Sequence, residues 1–312
     1  MCIRDSPKRY GKWMTTEYAA RKNEECYEHV YILHHPDEER PACRPLRPSH
    51  SYERQKKLGA QVGQGSGWER PNYFGPHNAD ENCDHASRSF RRGAWWEYAI
   101  AEASAIRNNV GIIDATAFTK HLVKGPGAVR FLDWFTCNNL PNINRINLTY
   151  CLTTSGTVRS EYTIVRKSEN EFYLISAGAL TDYDKDYLIK EAQDKEKEFG
   201  YIEIQDVTSQ FGTFAIAGPK SKELLISLTN SENPEQLFSN ENFPWLSSKE
   251  IEINMIPTLA IRVAYTGELG WELHYPVEFQ NKLLDLLLSS GKNFDLKLVG
   301  SRAQNWLRQE KS

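Results

Sequence analysis

Residues that could hold a flat heterocycle are concentrated in Arg262–Leu273, near the end of this 312-residue chain. The pattern predicts a strand closed by Tyr265, a tight turn at Thr266-Gly267 and a second strand that carries Glu272. An aromatic ring can stack on the face of a heterocycle, and a carboxylate can accept two adjacent N–H bonds from its edge. The segment therefore predicts a binding site for a planar ring with paired N–H donors.

Strand alternation decides which side chains share a face in this segment. On a strand that begins near Gly270, Glu272 and His274 lie on one face, and Trp271 and Leu273 lie on the other. Two simpler interpretations stay open from the residues alone. Glu272 is then a surface side chain on a half-buried strand, and the preceding tyrosine is a packing aromatic.

Composition indicates a globular protein without a polyanionic or membrane partner. The chain is 40% hydrophobic and 25% charged, with a net charge of −3. This balance offers no basic surface for nucleic acid or an anionic membrane. The apolar runs are too short to span a bilayer, and Met1–Tyr10 has no apolar core typical of a signal peptide. We therefore expect a cytoplasmic protein, or one of the mitochondrial matrix in a eukaryote.

The spacing of cysteine and histidine predicts neither a disulfide framework nor a metal site. The six cysteines include no CxxC pair, so we expect reduced thiols. Cys83-Asp84-His85 and the pair His34-His35 match no zinc pattern, and no metal is expected. The chain also contains no GxGxxG turn, so it lacks a dinucleotide-binding turn of its own.

The first 92 residues differ in pattern from the rest of the chain. Tyr18–Tyr31 predicts an amphipathic helix, and the prolines within Pro41–Pro48 require extended backbone. Gly59–Phe90 is rich in Gly, Pro and Asn without periodicity, which is typical of a surface connector and not of a core element. We expect three units: residues 1–58, a connector over 59–92, and a main domain over 93–312.

From Gly93 onward, helical and strand patterns mix without a strict βαβ order. Helices are predicted at Trp95–Asn108, Ala128–Phe135, Asp182–Glu198, Ser221–Leu228 and Val277–Leu288. Strands are predicted at Lys120–Gly125, Leu148–Thr153, Val158–Val165, Glu171–Ser176, Tyr201–Val207 and Gly212–Ala217, and two more bracket Thr266-Gly267. This order predicts an α+β fold with antiparallel sheets covered by helices.

Four segments resemble the folate-binding aminomethyltransferase, or T-protein, of the glycine cleavage system. Tyr265–Glu272 is similar to its pterin-holding Tyr-Thr-Gly-Glu-x-Gly-x-Glu segment. Val110–Phe118 resembles its Gly-hydrophobic-hydrophobic-Asp-x-Ser-x-Met start, and Phe214–Pro219 resembles a strand-to-helix Gly-Pro corner. Ala303–Glu310 is similar to its Ala-Arg-Asp-x-Leu-Arg-x-Glu helix. The resemblance implies the aminomethyltransferase fold.

The resemblance extends to enzymes in which this domain is fused to a flavoprotein. Leu269 and Trp271 bring the pterin-holding segment closer to the folate domain of dimethylglycine and sarcosine dehydrogenases. Three segments of this chain resemble the end of the flavoprotein half of these dehydrogenases: Glu38–Pro41, Gly67–Pro71 and Phe90–Arg92. Residues 1–58 are then the remnant of an FAD-dependent oxidoreductase domain, and 93–312 stop before a C-terminal barrel. The chain is expected to be an internal fragment, with FAD bound by the part that precedes it.

The same resemblance implies which residues bind the cofactor tetrahydrofolate. Phe118 stands where the family has a methionine that lines the folate tunnel, and Arg308 matches the arginine of the Leu-Arg-x-Glu pattern. Gln304 replaces a family arginine, which weakens the expectation of a tightly bound glutamate tail. The folate-binding residues implied in this way are Phe118, Tyr201, Val207, Thr208, Ser209, Tyr265, Glu272 and Arg308.

A second carboxylate is implied by the family's Gly-Gly-x-x-Asp-Asp-Leu strand, which bears a catalytic aspartate. Gly156–Tyr162 stands there in this chain, with Ser160 in place of one aspartate and Glu161 as the available carboxylate. The resemblance therefore implies Glu161 as the catalytic residue beside the reacting nitrogens. A surface pair between Arg159 and Glu161 is the alternative, because alternation places both on one face.

These expectations define a one-carbon-capturing function. The resemblance implies the tetrahydrofolate-binding part of a flavin-dependent dimethylglycine or sarcosine dehydrogenase, which forms 5,10-methylenetetrahydrofolate from the iminium of an N-methyl amine. Its partners are then a folate and a methylamine, with the electron acceptor left open. The alternatives are a free-standing glycine-cleavage aminomethyltransferase and a non-enzymatic module with the folate-binding fold.

Overall fold

The structure, a computed structural model, describes residues 13–35, 38–76, 90, 93 and 95–311. Its helices are α1 (Thr16–Glu28), α2 (Tyr52–Lys57), α3 (Trp95–Asn108), α4 (Ala128–Phe135), α5 (Thr181–Phe199), α6 (Ser221–Leu228), α7 (Pro234–Leu237), α8 (Gln280–Gly291) and α9 (Ser301–Lys311). Short 3-10 turns occur at Gly178–Leu180, Val277–Phe279 and Lys292–Phe294.

The strands form a hairpin and two larger sheets. They are β1 (Ala60–Gly65), β2 (Trp68–Phe74), β3 (Gly111–Asp114), β4 (Thr119–Lys124), β5 (Ile146–Leu152), β6 (Val158–Ser168), β7 (Glu171–Ser176), β8 (Glu203–Asp206), β9 (Phe211–Ala217), β10 (Ser248–Ile253), β11 (Ile256–Ile261), β12 (Gly270–Pro276) and β13 (Lys297–Val299). Sheet I has the order β10-β11-β12-β9-β3-β13, and sheet II has the order β5-β6-β7-β4-β8. Only the β3–β13 pair is parallel among these described strands. The predicted α+β fold with antiparallel sheets is confirmed.

Each large sheet buries its outer face under helices. Trp271, Leu273 and Tyr275 of β12 pack in one core with leucines of α6 and α8. The outer face of sheet II packs against α4 and α5. A separate apolar cluster joins the two inner faces, with Val165, Tyr173, Val207 and Ile261 buried. Side chains that point inward from either sheet therefore meet in the space between the sheets.

The prediction that Gly59–Phe90 forms a connector without core elements is wrong for its first half. β1 and β2 form an antiparallel hairpin in which Trp68 is buried, as is the carboxylate of Glu69. Glu69 accepts a 2.6 Å bond from Arg44, so the hairpin is fixed to the preceding segment. Residues 77–89 of this stretch lie outside the described residues.

The glycines of β1 explain why its pattern resembles a loop. A Cβ atom at Gly63 would lie 2.2 Å from Glu39 Oε1 and 2.3 Å from Asn72 Nδ2. Glycine therefore lets two polar side chains approach the strand closely, a use of glycine that the sequence pattern cannot separate from a turn.

The predicted strand before Thr266-Gly267 is also misplaced. β11 ends at Ile261, and the Val263 N–H bonds to the Ile261 carbonyl, which turns the chain out of the sheet. The other predicted helices and strands of the main domain occur within a few residues of their expected ends. The sequence interpretation missed the elements α2, α7, β1, β2, β3, β10, β11 and β13.

No helix within the described residues is long and apolar enough to cross a membrane. The four cysteines that can be described, Cys26, Cys43, Cys137 and Cys151, are free thiols.

Candidate functional site

A carboxylate and a buried imidazole lie between the two sheets. Glu272 and His274 point inward from β12, on the face that the alternation indicates. Glu272 keeps 21% of its side chain exposed, whereas the His274 side chain is 1% exposed. Their closest atoms, Glu272 Oε2 and His274 Nε2, are 3.5 Å apart. The carboxylate is therefore reachable from solvent, and the imidazole lies on its buried side.

Hydroxyl groups from both sheets contact the other nitrogen of this imidazole. Tyr173 Oη of sheet II lies 3.1 Å from His274 Nδ1, and Thr213 Oγ1 of sheet I lies 3.2 Å from it. Tyr173 and Thr213 are both buried. Burial, supported by the negative charge of Glu272, raises the pKa of Tyr173 well above its usual value, so its hydroxyl stays protonated.

A buried lysine belongs to the same region. Lys120 of β4 is completely buried, and its Nζ donates to the carbonyls of Thr116 at 2.9 Å and Phe118 at 2.8 Å. Burial lowers the pKa of Lys120 to about 7, against the opposing effect of Asp114, Glu272 and Asp206. These two hydrogen bonds hold the connection between sheets I and II in place.

Asp114 fixes the start of this connection from the other side. Its Oδ1 accepts the backbone N–H of Thr116 at 3.0 Å. Its Oδ2 accepts bonds from Ser49, Ser51, Gln55 and Gln280. The N-terminal segment, α2 and α8 therefore all meet at the base of the connection that carries Phe118.

Three of the predicted folate-binding residues lie around Lys120. The backbone carbonyl of Phe118 accepts a hydrogen bond from Lys120 Nζ, and the residue is 37% exposed. Thr208 Oγ1 accepts the backbone N–H of Lys120 at 3.0 Å, and Val207 is buried in the cluster between the sheets. The structure thus brings Phe118, Val207 and Thr208 together, and Ser209 follows them as an exposed turn residue.

Tyr265 and Arg308 form a second group at the end of sheet I where β12 begins. The Tyr265 ring is 46% exposed, and Arg308 Cζ lies 5.8 Å from its centroid. Gly267 has φ +84, and a Cβ there would lie 3.3 Å from the side chain of Lys311. The positive φ favours glycine at this turn, which lies close to the Lys311 side chain of α9.

Tyr201 is separated from the other predicted wall residues. It precedes β8, whereas Val207 and Thr208 follow that strand. Its carbonyl accepts the Gly127 N–H, and its side chain is 55% exposed. The structure does not bring Tyr201 into contact with the groups around Lys120, and its binding role stays a prediction.

The alternative interpretation of Glu161, a surface pair with Arg159, is wrong. A bulge interrupts the pairing of β5 and β6, with Ser160 opposite Cys151 and Val158 opposite Leu152. Arg159 consequently points to the outer face, where its Cζ lies 3.5 Å from the centroid of Tyr187. Glu161 is exposed. Its catalytic role stays a prediction.

The direction of the Glu161 side chain follows from that of its neighbour Ser160. The neighbouring Ser160 donates to Asp184 of α5 at 2.5 Å, so Ser160 faces outward. Alternation then turns Glu161 inward, toward the side of the sheet that carries Lys120 and Tyr173. The two carboxylates that the resemblance implies, Glu161 and Glu272, therefore belong to the facing sides of the two sheets.

Sequence reasoning missed three residues of this site as functional groups. Tyr173, Thr213 and Lys120 are polar residues within strand patterns, and only the pairing of distant strands brings them to His274 and Glu272. One signal was available for His274, since alternation already places it beside Glu272. Among the described residues, no group of three or more His, Cys, Asp or Glu side chains could hold a metal ion.

The two facing sheets and their covering helices form an aminomethyltransferase-type domain. The chain belongs to the GCVT N-terminal domain family, whose profile matches residues 51–312. The profile of the FAD dependent oxidoreductase central domain matches residues 6–49. The predicted family and the predicted flavoprotein remnant are thereby confirmed.

Two curated relatives are similar to this chain over nearly its whole length. Human mitochondrial dimethylglycine dehydrogenase is 34% identical over 98% of this chain and 34% of its own length. The 4-methylaminobutanoate oxidase (formaldehyde-forming) of Paenarthrobacter nicotinovorans is 27% identical over 96% of the chain and 35% of its own length. The chain thus spans about a third of the length of these curated relatives.

A solved structure confirms the fold. The glycine cleavage system aminomethyltransferase T from Bartonella henselae aligns with a TM-score of 0.66 and 22% identity, over 85% of this chain and 62% of that one.

The buried lysine generates a pH prediction. Because the pKa of Lys120 falls from 10.5 to about 7 in the folded protein, the unfolded chain binds more protons between these values. Stability should therefore decrease as the pH falls from about 10 to about 7, by up to ~1.4 kcal/mol per pH unit. Lys120→Met should remove this part of the pH dependence in denaturant unfolding measured from pH 7 to 9.5.

Lys124→Met is the matched control, since Lys124 belongs to the same strand and its side chain is 36% exposed. It should keep the pH dependence of the wild type. An unchanged slope in Lys120→Met would show that burial does not lower the pKa of Lys120 in the folded protein.

Proposed function

We propose that this chain binds tetrahydrofolate at Glu272 and captures the one-carbon unit released by flavin-dependent oxidation of an N-methyl amine, with 5,10-methylenetetrahydrofolate as the product. One observation carries the proposal: a reachable carboxylate between two sheets, backed by the buried imidazole of His274. The family and the relatives named above support it. The human relative's name states that it is mitochondrial. We propose a location in the mitochondrial matrix if the source is a eukaryote, and in the cytoplasm otherwise.

The carboxylate suits the edge of a pterin. A ring N–H and the neighbouring amino group are adjacent donors, and an ionised carboxylate accepts such a pair in two parallel, charge-assisted bonds. The sheets shield the buried side of Glu272, which limits competition from water for these bonds. Selectivity then comes from the pairing of two donors with two acceptor oxygens.

Tyr265 and Arg308 are proposed to hold other parts of the folate. The exposed ring of Tyr265 offers a face on which an aromatic part of the ligand can stack. The neighbouring guanidinium of Arg308 offers donors for a carboxylate of the glutamate tail. Phe118, Val207 and Thr208 are proposed as the wall around the connection held by Lys120.

Glu161 is proposed to act at the reacting nitrogens. A nitrogen of tetrahydrofolate adds to the iminium carbon, and the iminium electron pair moves onto the amine nitrogen. The attacking nitrogen becomes cationic and must release a proton. The bond from the carbon to the amine nitrogen then breaks as the second folate nitrogen bonds to the carbon, and the demethylated amine leaves. An exposed carboxylate on the inner face of sheet II is suited to accept this proton or to stabilise the cation. Capture inside a protein keeps a reactive one-carbon electrophile out of solvent.

FAD would supply the oxidation of the methylamine. Residues of this chain do not fit it on their own, because the sequence has no Gly-rich dinucleotide turn. We therefore place the FAD site outside residues 1–312, in the longer protein that the relatives' lengths suggest. The electron acceptor and the particular methylamine are not specified by any residue described above.

Two other functions can be weighed against this proposal. The match of residues 6–49 to a flavoprotein domain favours a fused enzyme over a free-standing aminomethyltransferase. The name of the Paenarthrobacter relative states that it forms formaldehyde. Release of formaldehyde without capture is therefore the competing outcome, and a non-enzymatic folate-fold module predicts neither product.

Removal of the Glu272 carboxylate tests the proposed binding site. In the full-length protein, Glu272→Ala should weaken tetrahydrofolate binding by about thirty- to a thousandfold, because paired donors of the bound ring lose a charged acceptor. Tyr265→Leu should weaken binding less, since it removes stacking only. Titration calorimetry of both variants against wild type measures the difference.

Glu278→Ala serves as the control for Glu272→Ala, because Glu278 is an exposed glutamate just beyond β12. It should bind tetrahydrofolate like the wild type. Wild-type affinity in Glu272→Ala would remove the pterin anchor from the proposal and favour the non-enzymatic module.

The role of Glu161 is tested by the fate of the one-carbon unit. Glu161→Gln should slow formation of methylenetetrahydrofolate by roughly ten- to a thousandfold, while amine oxidation continues and formaldehyde accumulates. Both products can be quantified in one reaction, with Glu169→Gln on an exposed turn as control. An unchanged folate product in Glu161→Gln would contradict a catalytic role for this carboxylate.

A further inference from the structure

The hydrogen-bond partners of His274 determine which of its nitrogens carries a proton. The ring is buried, and Nδ1 faces two hydroxyl groups, from Tyr173 at 3.1 Å and Thr213 at 3.2 Å. Nε2 faces the carboxylate of Glu272 at 3.5 Å. A neutral imidazole has one donor nitrogen and one acceptor nitrogen, so these contacts can be assigned.

The imidazole is neutral in this environment. Burial lowers the pKa of His274, and the neighbouring cation Lys120 lowers it further, whereas Glu272 opposes the shift. The remaining titratable group that faces the ring, Tyr173, stays a phenol because its own pKa is raised. His274 therefore has a single N–H to place.

Only one tautomer gives each polar atom a compatible neighbour. With the hydrogen on Nε2, the Tyr173 hydroxyl donates to Nδ1, and the N–H points at the Glu272 carboxylate. The other tautomer would direct a nitrogen lone pair at a negative charge, which is repulsive in a buried site. At an Nε2–Oε2 distance of 3.5 Å, no hydrogen bond forms between His274 and Glu272 in the part of the chain that the structure describes. The carboxylate can therefore still accept hydrogen bonds from a ligand.

We propose that His274 is a positioning residue that orients the Glu272 carboxylate for a 2-amino-4-oxopteridine. A carboxylate can rotate about its terminal bond. The Nε2–H group carries partial positive charge, and its nitrogen lies 3.5 Å from Oε2 on the buried side, so it attracts Oε2 and favours one orientation of the carboxylate. Both oxygens then present lone pairs toward the open side, in the plane required by an adjacent ring N–H and amino group. The inference rests on the proposed function and adds the source of its selectivity.

If His274 positions the carboxylate, its loss should reduce selectivity for the ligand's amino group. A purely structural role for His274 predicts no such loss of selectivity. A 2-desamino analogue of tetrahydrofolate lacks one of the two donors, so it gains nothing from an aligned pair of oxygens. The full-length wild type should bind tetrahydrofolate at least about tenfold more tightly than this analogue. His274→Phe should weaken tetrahydrofolate binding about five- to thirtyfold, and should change analogue binding little. Titration calorimetry at pH 7.5 with both ligands measures these four affinities.

Two further variants make the test specific. His274→Gln keeps an amide N–H within reach of Glu272 and should restore part of the preference, and it also serves if His274→Phe does not fold. Phe211→Leu changes an aromatic neighbour of Tyr173, with ring centroids 6.1 Å apart, and leaves every hydrogen-bonding group around His274 in place. This variant should keep the wild-type preference for tetrahydrofolate, which separates loss of the Nε2–H from a general disturbance of the buried ring.

The outcomes distinguish this inference from the proposed function. Wild-type affinity in Glu272→Ala would contradict the proposed function itself. If Glu272→Ala loses binding while His274→Phe keeps the preference for tetrahydrofolate, only the positioning role is overturned. Equal weakening of both ligands in His274→Phe and His274→Gln would also overturn it, because a structural role does not distinguish the amino group.

Discussion

The hydrogen bond between Tyr173 and His274 is the contact on which the arrangement of the site depends, because it joins the inner faces of the two sheets. Shifting β12 by one residue would move Glu272 and His274 into the apolar core under α6 and α8, and would leave buried polar groups without partners. The alternate side chains of β12, Trp271, Leu273 and Tyr275, already fill that core. The inward direction of the carboxylate is therefore a consequence of how the outer core packs.

A short connection from β3 to β4 joins the two sheets, and a polar side chain fixes it at each end. Lys120 holds the connection between the sheets from one side, and Asp114 holds its start from the other. Ser49, where the flavoprotein profile ends, donates directly to Asp114 at 2.9 Å. The junction between the two family segments is thus part of a buried hydrogen-bond network and not an independent linker. A proposed oxidation domain and a proposed capture site would share this structural base.

Much of this arrangement follows from local pattern, and the rest depends on pairing between distant residues. Alternation around Gly270 correctly places Glu272 and His274 on one face, because β12 is regular there. The same rule fails at Arg159, since a bulge adds a residue that no periodicity in the sequence reveals. Gly63 resembles a loop residue although it makes room for side chains against a strand. Tyr173 lies 101 positions from His274, so only the fold brings the two together.

Binding of the pterin by Glu272 is tested most directly by a crystal structure of the full-length protein with bound tetrahydrofolate. The pteridine should lie between the two sheets, with a ring N–H and the amino group each about 2.7–3.2 Å from an oxygen of Glu272. The His274 ring should stay in contact with Tyr173 on the buried side of that carboxylate. A pteridine bound elsewhere, or bound here without contact to Glu272, would contradict the role of Glu272 as the pterin anchor.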